Sequence, residues 1–423
     1  MERSNVWSKD FTLIIVGTII SAIGGQIISL PMSLLVFDET GSTLLSAFLF
    51  ISGMIPSVVL PILIAPIVDR FPKKRSIVGL DYLLGIIYLI VAVIIGRTGF
   101  NYYLYLGFSF LVGTIGTIYQ LTYQAWFPDL IPFGFEQQGY AVSSSIYPSI
   151  TIIMAPVAAF LYRTYTMSTL FVIIGVMTII AATFELFITN IHIKKDDKKF
   201  DFKEYKEDLI SGFKYLKKEK GLKNIYTYMA ITNGTSHGSI LMIQAYFQTV
   251  SFLTVTMLAF LRSAETIGRI IGGGIQYKIK VKAKKRYGIT KFVYTVYSML
   301  DGILLFMPYP LMIINRFICG FLGMTSATLR ETSVQVYLPR HMRAKVNAVF
   351  NVLMALSLIV FQLFAGYLGD VLDHRIVVVL MASISLVSIY ILIVKPTEEN
   401  RRVYEAIRTE NPMEEMGEPL IDG

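Results

Sequence analysis

The sequence predicts an all-α integral membrane protein, with twelve transmembrane helices arranged as two pseudo-symmetric six-helix bundles. Three observations carry that expectation. Of 423 residues, 54% are apolar and only 16% charged, whereas soluble domains average roughly 45–50% and about 25%. So few charges cannot cover a water-facing surface, which sets aside a soluble enzyme, a disulfide scaffold and a disordered chain. The apolar residues gather into twelve runs of the length a helix needs to cross hydrocarbon, about 20 residues. Finally, the basic residues fall almost wholly in the loops of one side.

The runs lie near 11–37, 44–68, 76–96, 101–123, 139–162 and 167–191, and then near 224–248, 253–276, 290–307, 309–328, 346–368 and 374–394. They are too long and unbroken for barrel strands, so helices are the expected element. Two joints are tight, at Ser251 and at Met307-Pro308-Tyr309-Pro310. The first run is long and no small-residue cleavage site follows it, so it reads as a span rather than a leader.

Thirty-two of the 38 Lys and Arg residues lie on the side shared by both termini. They sit at Arg3 and Lys9, in 70–75, 193–223, 278–291 and 330–345, and in the tail. Arg97, Arg163 and Arg375 lie opposite, and Arg262, Arg269 and Arg316 fall inside runs. By the positive-inside rule both termini are expected in the cytoplasm. The net charge of +9 is thereby read as an orientation signal, and no nucleic-acid partner is expected.

Four segments follow: an N-terminal six-helix bundle (1–192), a cytoplasmic amphipathic linker (193–223), a C-terminal six-helix bundle (224–394) and an acidic cytoplasmic tail (395–423). In the linker, Phe202, Leu209, Phe213 and Leu216 recur at near-helical spacing and predict an amphipathic helix. The tail predicts a short helix near Arg401–Arg408. An offset of 207 places Pro132 on Pro339, Ala141-Val142 on Ala348-Val349, Ala158 on Ala365 and Leu161 on Leu368. Each set lies where a Pro-containing loop leads into the fifth span of its half. Two such halves around a midplane site is the architecture of alternating-access carriers.

Four stretches resemble the major facilitator superfamily and, within it, a bacterial efflux branch of enterobactin-exporter-like and macrolide-efflux-like proteins. Ala65-Pro-Ile-Val-Asp69-Arg70-Phe-Pro-Lys73-Lys74-Arg75 resembles the G-x-x-x-D-R-x-G-R-R loop after span 2. Gln124-Ala-Trp-Phe-Pro128-Asp129-Leu-Ile-Pro132 resembles the branch's P-[DE]-L-V-P signature. Ala155-Pro156-Val-Ala158-Ala159 resembles the antiporter motif G-P-x-x-G-G, and Gly212-Phe-Lys-Tyr-Leu resembles the amphipathic stretch before span 7. Alanines stand where the antiporter motif has glycines, which keeps close packing but removes backbone freedom.

The resemblance implies a proton-coupled exporter of small amphipathic compounds, such as drugs or siderophore-like metabolites, working by alternating access in a bacterial cytoplasmic membrane. An importer of a specific metabolite and a non-transporting receptor or scaffold of the same fold are the alternatives. It implies a cytoplasmic gating loop at Asp69, Arg70 and Arg75, with Asp69 docking at a neighbouring helix N-terminus. The expected partners are a small-molecule substrate, protons and the lipid bilayer, with the protein acting as a monomer. No cofactor is expected beyond the proton gradient. There is no phosphate-binding loop for ATP, no metal-ligand spacing, and Cys319 is the single cysteine.

Charge at membrane depth is costly and faces a cavity or a partner. Arg262 and Glu265, three residues apart on one helical face, are either a proton carrier with its tuning cation or a structural ion pair. Asp301 and His237 are further proton-coupling candidates, the histidine because it titrates near neutral pH. Arg316 has no partner on its own helix and is expected to join the Arg262 cluster. Glu185 and Asp81 read as structural or interfacial, Asp81 toward the basic loop just before it. Gln26, Gln120, Asn233, Gln244 and Asn351 are cavity candidates together with Arg316. Tyr119, Tyr123, Trp126, Tyr226, Tyr228, Tyr246 and Phe247 either grip an amphipathic substrate or form an interfacial belt. Gly17, Ser21 and Gly25, and Gly268 and Gly272, lie four residues apart and predict close helix packing.

Overall fold

The computed structural model describes residues 6–68, 71–189, 202–278 and 281–407, and among these it is helical with no strand. The helices are α1 (Lys9–Thr40), α2 (Thr43–Val68), α3 (Lys73–Thr98), α4 (Tyr102–Leu130), α5 (Glu136–Thr164), α6 (Met167–Leu186) and α7 (Phe202–Lys218). They continue as α8 (Lys220–Thr249), α9 (Val255–Lys278), α10 (Ala283–Ile303), α11 (Tyr309–Tyr337), α12 (Arg340–Gly369), α13 (His374–Ser388) and α14 (Thr397–Tyr404). A π-helical turn, Ile389–Val394, extends α13. All twelve expected spans are present as helices, and both tight joints are breaks between them. Ten of the twelve are long and apolar enough to cross a membrane by composition. The other two, α8 and α9, are diluted by Asn233, His237, Gln244, Gln248, Arg262, Glu265 and Arg269.

Local chemistry sets the ends. Ser8, Asn101 and Thr166 accept hydrogen bonds from the N–H three residues on, at 3.2, 3.2 and 3.3 Å, capping α1, α4 and α6. Gly41 closes α1 at φ +65° and donates its N–H to the Phe37 carbonyl at 2.8 Å, a conformation glycine adopts without strain. Asp373 caps α13, and its contact with Arg375 holds the carboxyl below the usual range.

The chain forms two compact units. The first comprises Met1–Phe200 with Gln244–Thr266, the second Asp201–Ile243 with Ile267–Gly423. The end of the seventh span and the start of the eighth therefore side with the first six spans.

Within the first unit, α3 packs on α6, α2 on α4, and α1 on both α5 and α6. Gly85 and Gly175 set the α3–α6 approach: a Cβ on either would lie about 3 Å from the other's carbonyl oxygen. Gly113 abuts the Gly53 carbonyl and does the same for α2 and α4. Tyr88, Tyr105, Phe108 and Phe171 fill one buried cluster; Phe11, Ile14, Trp126 and Phe127 anchor another.

In the second unit, Gly268 and Gly272 lie against the Phe317 and Phe321 carbonyls of α11, the close packing expected of them. The α1 set behaves differently. Gly17 packs against Glu185, while nothing lies within 4 Å of a Cβ on Gly25. The amphipathic helix is α7, which packs on α12 with Leu216 buried. Phe213 is 56% exposed and so leaves the predicted apolar face, because Gly212, not Phe213, meets the α12 backbone at Lys345.

The predicted tail helix is α14, and it is docked. Asn400 Nδ2 donates to the carbonyls of Leu392 and Ile393 at 2.7 and 3.0 Å, satisfying acceptors at the end of the π turn. Tyr404 is fully buried, its hydroxyl 2.9 Å from that of Tyr294.

Gly268→Val forces a side chain into the α11 backbone. It is expected to lower stability by about 1–3 kcal/mol, read as an earlier unfolding midpoint in detergent.

Candidate functional site

In the first unit the polar residues of α1, α8 and α9 converge near the helix ends that face away from the basic loops. Gln244 Nε2 donates to the Ser33 carbonyl at 2.8 Å, and Ser33 Oγ donates back to Gln244 Oε1 at 3.1 Å. Arg262 Nη2 donates to the same Oε1 at 3.1 Å, so one amide joins three helices. One turn along α8, Gln248 Nε2 donates to the Leu34 carbonyl at 2.8 Å and to Asp38 Oδ1 at 2.7 Å. The Tyr162 hydroxyl of α5 donates to Asp38 Oδ2 at 2.5 Å. Ser263 adds a bond of 2.9 Å to the Ile152 carbonyl, tying α9 to α5. Four residues separate the glutamines, which puts both on one face of α8. The resulting polar clasp grips two consecutive carbonyls of α1.

Arg262 is thus held by an amide oxygen of another helix, with Glu265 within electrostatic reach. Of the other candidates in this unit, Gln26 donates to Thr151 Oγ1 of α5 at 3.2 Å. Gln120 is exposed on α4. Ala155, Ala158 and Ala159 are buried around Pro156 on α5. A groove of about 570 Å³ is lined by Ile19 of α1 and by Ala141, Val142, Ser145, Ile146, Ser149 and Ile150 of α5. Its walls are aliphatic with two hydroxyls, a lining suited to an amphipathic molecule.

In the second unit, Arg316 of α11 is paired with a residue of the neighbouring helix α10. Its Nη2 donates to Asp301 Oδ1 at 2.6 Å, with side chains only 6% and 8% exposed. The sequence separation of fifteen hid a bond that the α10–α11 hairpin closes. Asn233 Nδ2 donates to the Met354 carbonyl of α12 at 3.3 Å. His237 is half-buried on α8, and Asn351 is exposed on α12.

Of the gating loop, Asp69 and Arg70 lie outside the described residues, and Arg75 is exposed. The aromatic grip is corrected at five positions: Trp126, Tyr226, Tyr228, Tyr246 and Phe247 are buried packing residues. Tyr119, Tyr123 and Phe127 instead form a ladder on α4, with centroids 6.1 and 5.1 Å apart. Asp81 is also corrected, being buried at 5% exposure rather than turned to the basic loop. The sequence reading passed over Ser33, Asp38, Tyr162, Gln248 and Ser263. The one available signal was the repeat of Gln244 and Gln248 at helical spacing.

The family model described as Major Facilitator Superfamily matches residues 14–300 and 286–420. Macrolide efflux protein A of Streptococcus pyogenes is 23% identical over 393 residues, covering 87% of this chain and 92% of that protein. Among solved structures, a bacterial homolog of the human lysosomal transporter Spinster, in an inward-facing and unoccupied conformation, superposes with a TM-score of 0.63 at 14% identity, over 94% of this chain and 92% of that one. The nucleoside transporter NupG gives 0.63 at 13% identity, over 92% and 99%.

Two predictions follow from these contacts. Gln244→Ala removes three hydrogen bonds, on the order of 1–3 kcal/mol, and shifts a two-state opening equilibrium roughly 5- to 150-fold. A cysteine placed at the buried Leu34 is then expected to react faster with an impermeant maleimide; native Cys319 is buried and gives little background. Arg316→Met strands Asp301 and costs about 3–5 kcal/mol, whereas replacing both partners by apolar residues restores most of it, as read by denaturant unfolding.

Proposed function

Because the chain belongs to the Major Facilitator Superfamily, we propose that it is a proton-coupled exporter of small amphipathic compounds, acting by alternating access. The observation that carries this reading is the clasp of Gln244 and Gln248 on the Ser33 and Leu34 carbonyls. Its bonds to α1 run from neutral amides to main-chain acceptors, so they part without separating an ion pair. It also lies at the end of the first unit away from the basic loops, where a closed state needs a seal. The positive-inside rule puts those loops in the cytoplasm of a bacterial cell, so the clasp seals the external side.

The aliphatic groove with Ser145 and Ser149 supports an amphipathic cargo. The likeness to a macrolide efflux protein and the Pro156 motif support export. In alternating access a ligand shifts the balance between states only by its differential affinity for them. Cargo bound in the groove and a proton bound elsewhere would favour opposite states, and the clasp is the contact that must break between them.

The test uses everted membrane vesicles carrying the protein, with ethidium and a radiolabelled macrolide as probes. An imposed proton gradient is expected to drive accumulation of at least one probe without ATP, and a protonophore to abolish it. Accumulation only in right-side-out vesicles would reverse the direction and make the protein an importer; gradient-independent movement would remove the proton.

A further inference from the structure

Glu185 and Asp81 belong to neither the clasp nor the groove, and they lie within electrostatic reach of each other inside the first unit. Helices α3 and α6 run antiparallel there: Ser168 bonds the Ala92 carbonyl, Gly85 meets Gly175, and the hydroxyls of Tyr82 and Thr183 lie 3.0 Å apart. That register sets Asp81 opposite Glu185. Glu185 is 0% and Asp81 5% exposed. Asp81 lies about 12 Å along α3 from its first residue, eight residues before it, and Glu185 lies one residue before the end of α6.

Among the described residues, four tyrosines lie within electrostatic reach of the pair, and Tyr88 of α3, one of them, is near Asp81. From α4, the Tyr119 hydroxyl donates to Glu185 Oε1 at 3.2 Å, with Tyr123 stacked behind it. Tyr147 of α5 lies within electrostatic reach of Asp81. Helix α1 presents Gly17, where a Cβ would stand 2.9 Å from Glu185 Oε1. The missing side chain there is what admits the carboxyl. Lys9 and Asp10 lie two turns further toward the start of α1, and Asp10 is engaged by Thr189. A groove of about 530 Å³ passes beside α6, lined by Lys9, Leu13, Ile180, Thr183, Phe184 and Phe187, with Lys9 its one charged member. Among the described residues no cation pairs with either carboxyl. Asp81 Oδ2 and Glu185 Oε2 are buried with no hydrogen-bond partner at all.

Two carboxyls within electrostatic reach of each other, in a bundle surrounded by hydrocarbon, are relieved when one of them binds a proton. We propose that Glu185 and Asp81 form one proton-binding site, and that this site takes the proton coupled to transport. The inference rests on the reading of the protein as a proton-driven carrier. The proton binds at Glu185 Oε2 or Asp81 Oδ2 and leaves as hydronium to water admitted along the Lys9 groove, leaving both groups as carboxylates, with Tyr119 donating to that of Glu185. Arg262 and Glu265 then serve the clasp rather than the proton.

Infrared difference spectroscopy of the purified full chain in lipid nanodiscs, taken across pH, reads the carboxylic-acid C=O band directly. The unmodified protein is expected to show a buried band that titrates. Glu185→Gln with Asp81→Asn is expected to lose it, and Tyr119→Phe to keep the band with a moved midpoint. In everted vesicles Glu185→Gln is expected to lose gradient-driven ethidium accumulation while eluting as a monodisperse, folded protein. No titrating band, or gradient-driven accumulation by folded Glu185→Gln equal to the unmodified protein, overturns the proposal. If the unmodified protein itself ignores the gradient, the carrier reading fails instead, and the coupling half of the proposal falls with it.

Discussion

In hydrocarbon a polar group has no water to fall back on, and the structure depends on how each is answered. The helices satisfy their own main chains. What remains are a few carbonyls and side chains that must find partners on other helices, and these partners decide which helices touch. The Ser33 and Leu34 carbonyls are taken by Gln244 and Gln248, the Leu300 carbonyl by Asn315, the Met354 carbonyl by Asn233, and the Leu392 and Ile393 carbonyls by Asn400. In each case a neutral amide bonds a main-chain oxygen. Such bonds are strong enough to select a neighbour yet expose no charge when they break.

Packing sets the distance over which those bonds act. Lipid tails are as apolar as leucine, so burial alone gives helices no reason to associate. Close approach at Gly85 and Gly175, at Gly53 and Gly113, and at Gly268 against α11 supplies contact area instead. The α3–α6 approach leaves Asp81 within electrostatic reach of Glu185, while the α10–α11 hairpin draws Arg316 onto Asp301.

The spans were legible because the period and length of apolar runs are properties of consecutive residues. The Gly268–Gly272 spacing was legible for the same reason. What escaped were pairings between helices. Arg316 looks unpartnered on α11 because its partner is fifteen residues back, and Glu185 looks peripheral because its neighbours Gly17, Asp81 and Tyr119 come from three other spans. Aromatic residues misled in the opposite direction: Trp126 and Tyr228 have the polar tips of an interfacial belt, but the packing around them is complete. The family likeness implied the superfamily and a gating loop; no run of consecutive residues marked the clasp, whose Ser33, Gln244 and Arg262 come from three helices.

Helix α14 carries a consequence for synthesis. Its Asn400 and Tyr404 fill places in the second unit that α10, α11 and the π turn leave vacant, with Ser333 bonding the Tyr404 carbonyl and Tyr287 sharing the Ile393 oxygen. The segment follows in the chain every span it braces. Until it arrives, the second unit holds open a pocket of unmet acceptors and bare tyrosine rings. A chain that stops before Thr397 therefore leaves those acceptors and rings uncovered.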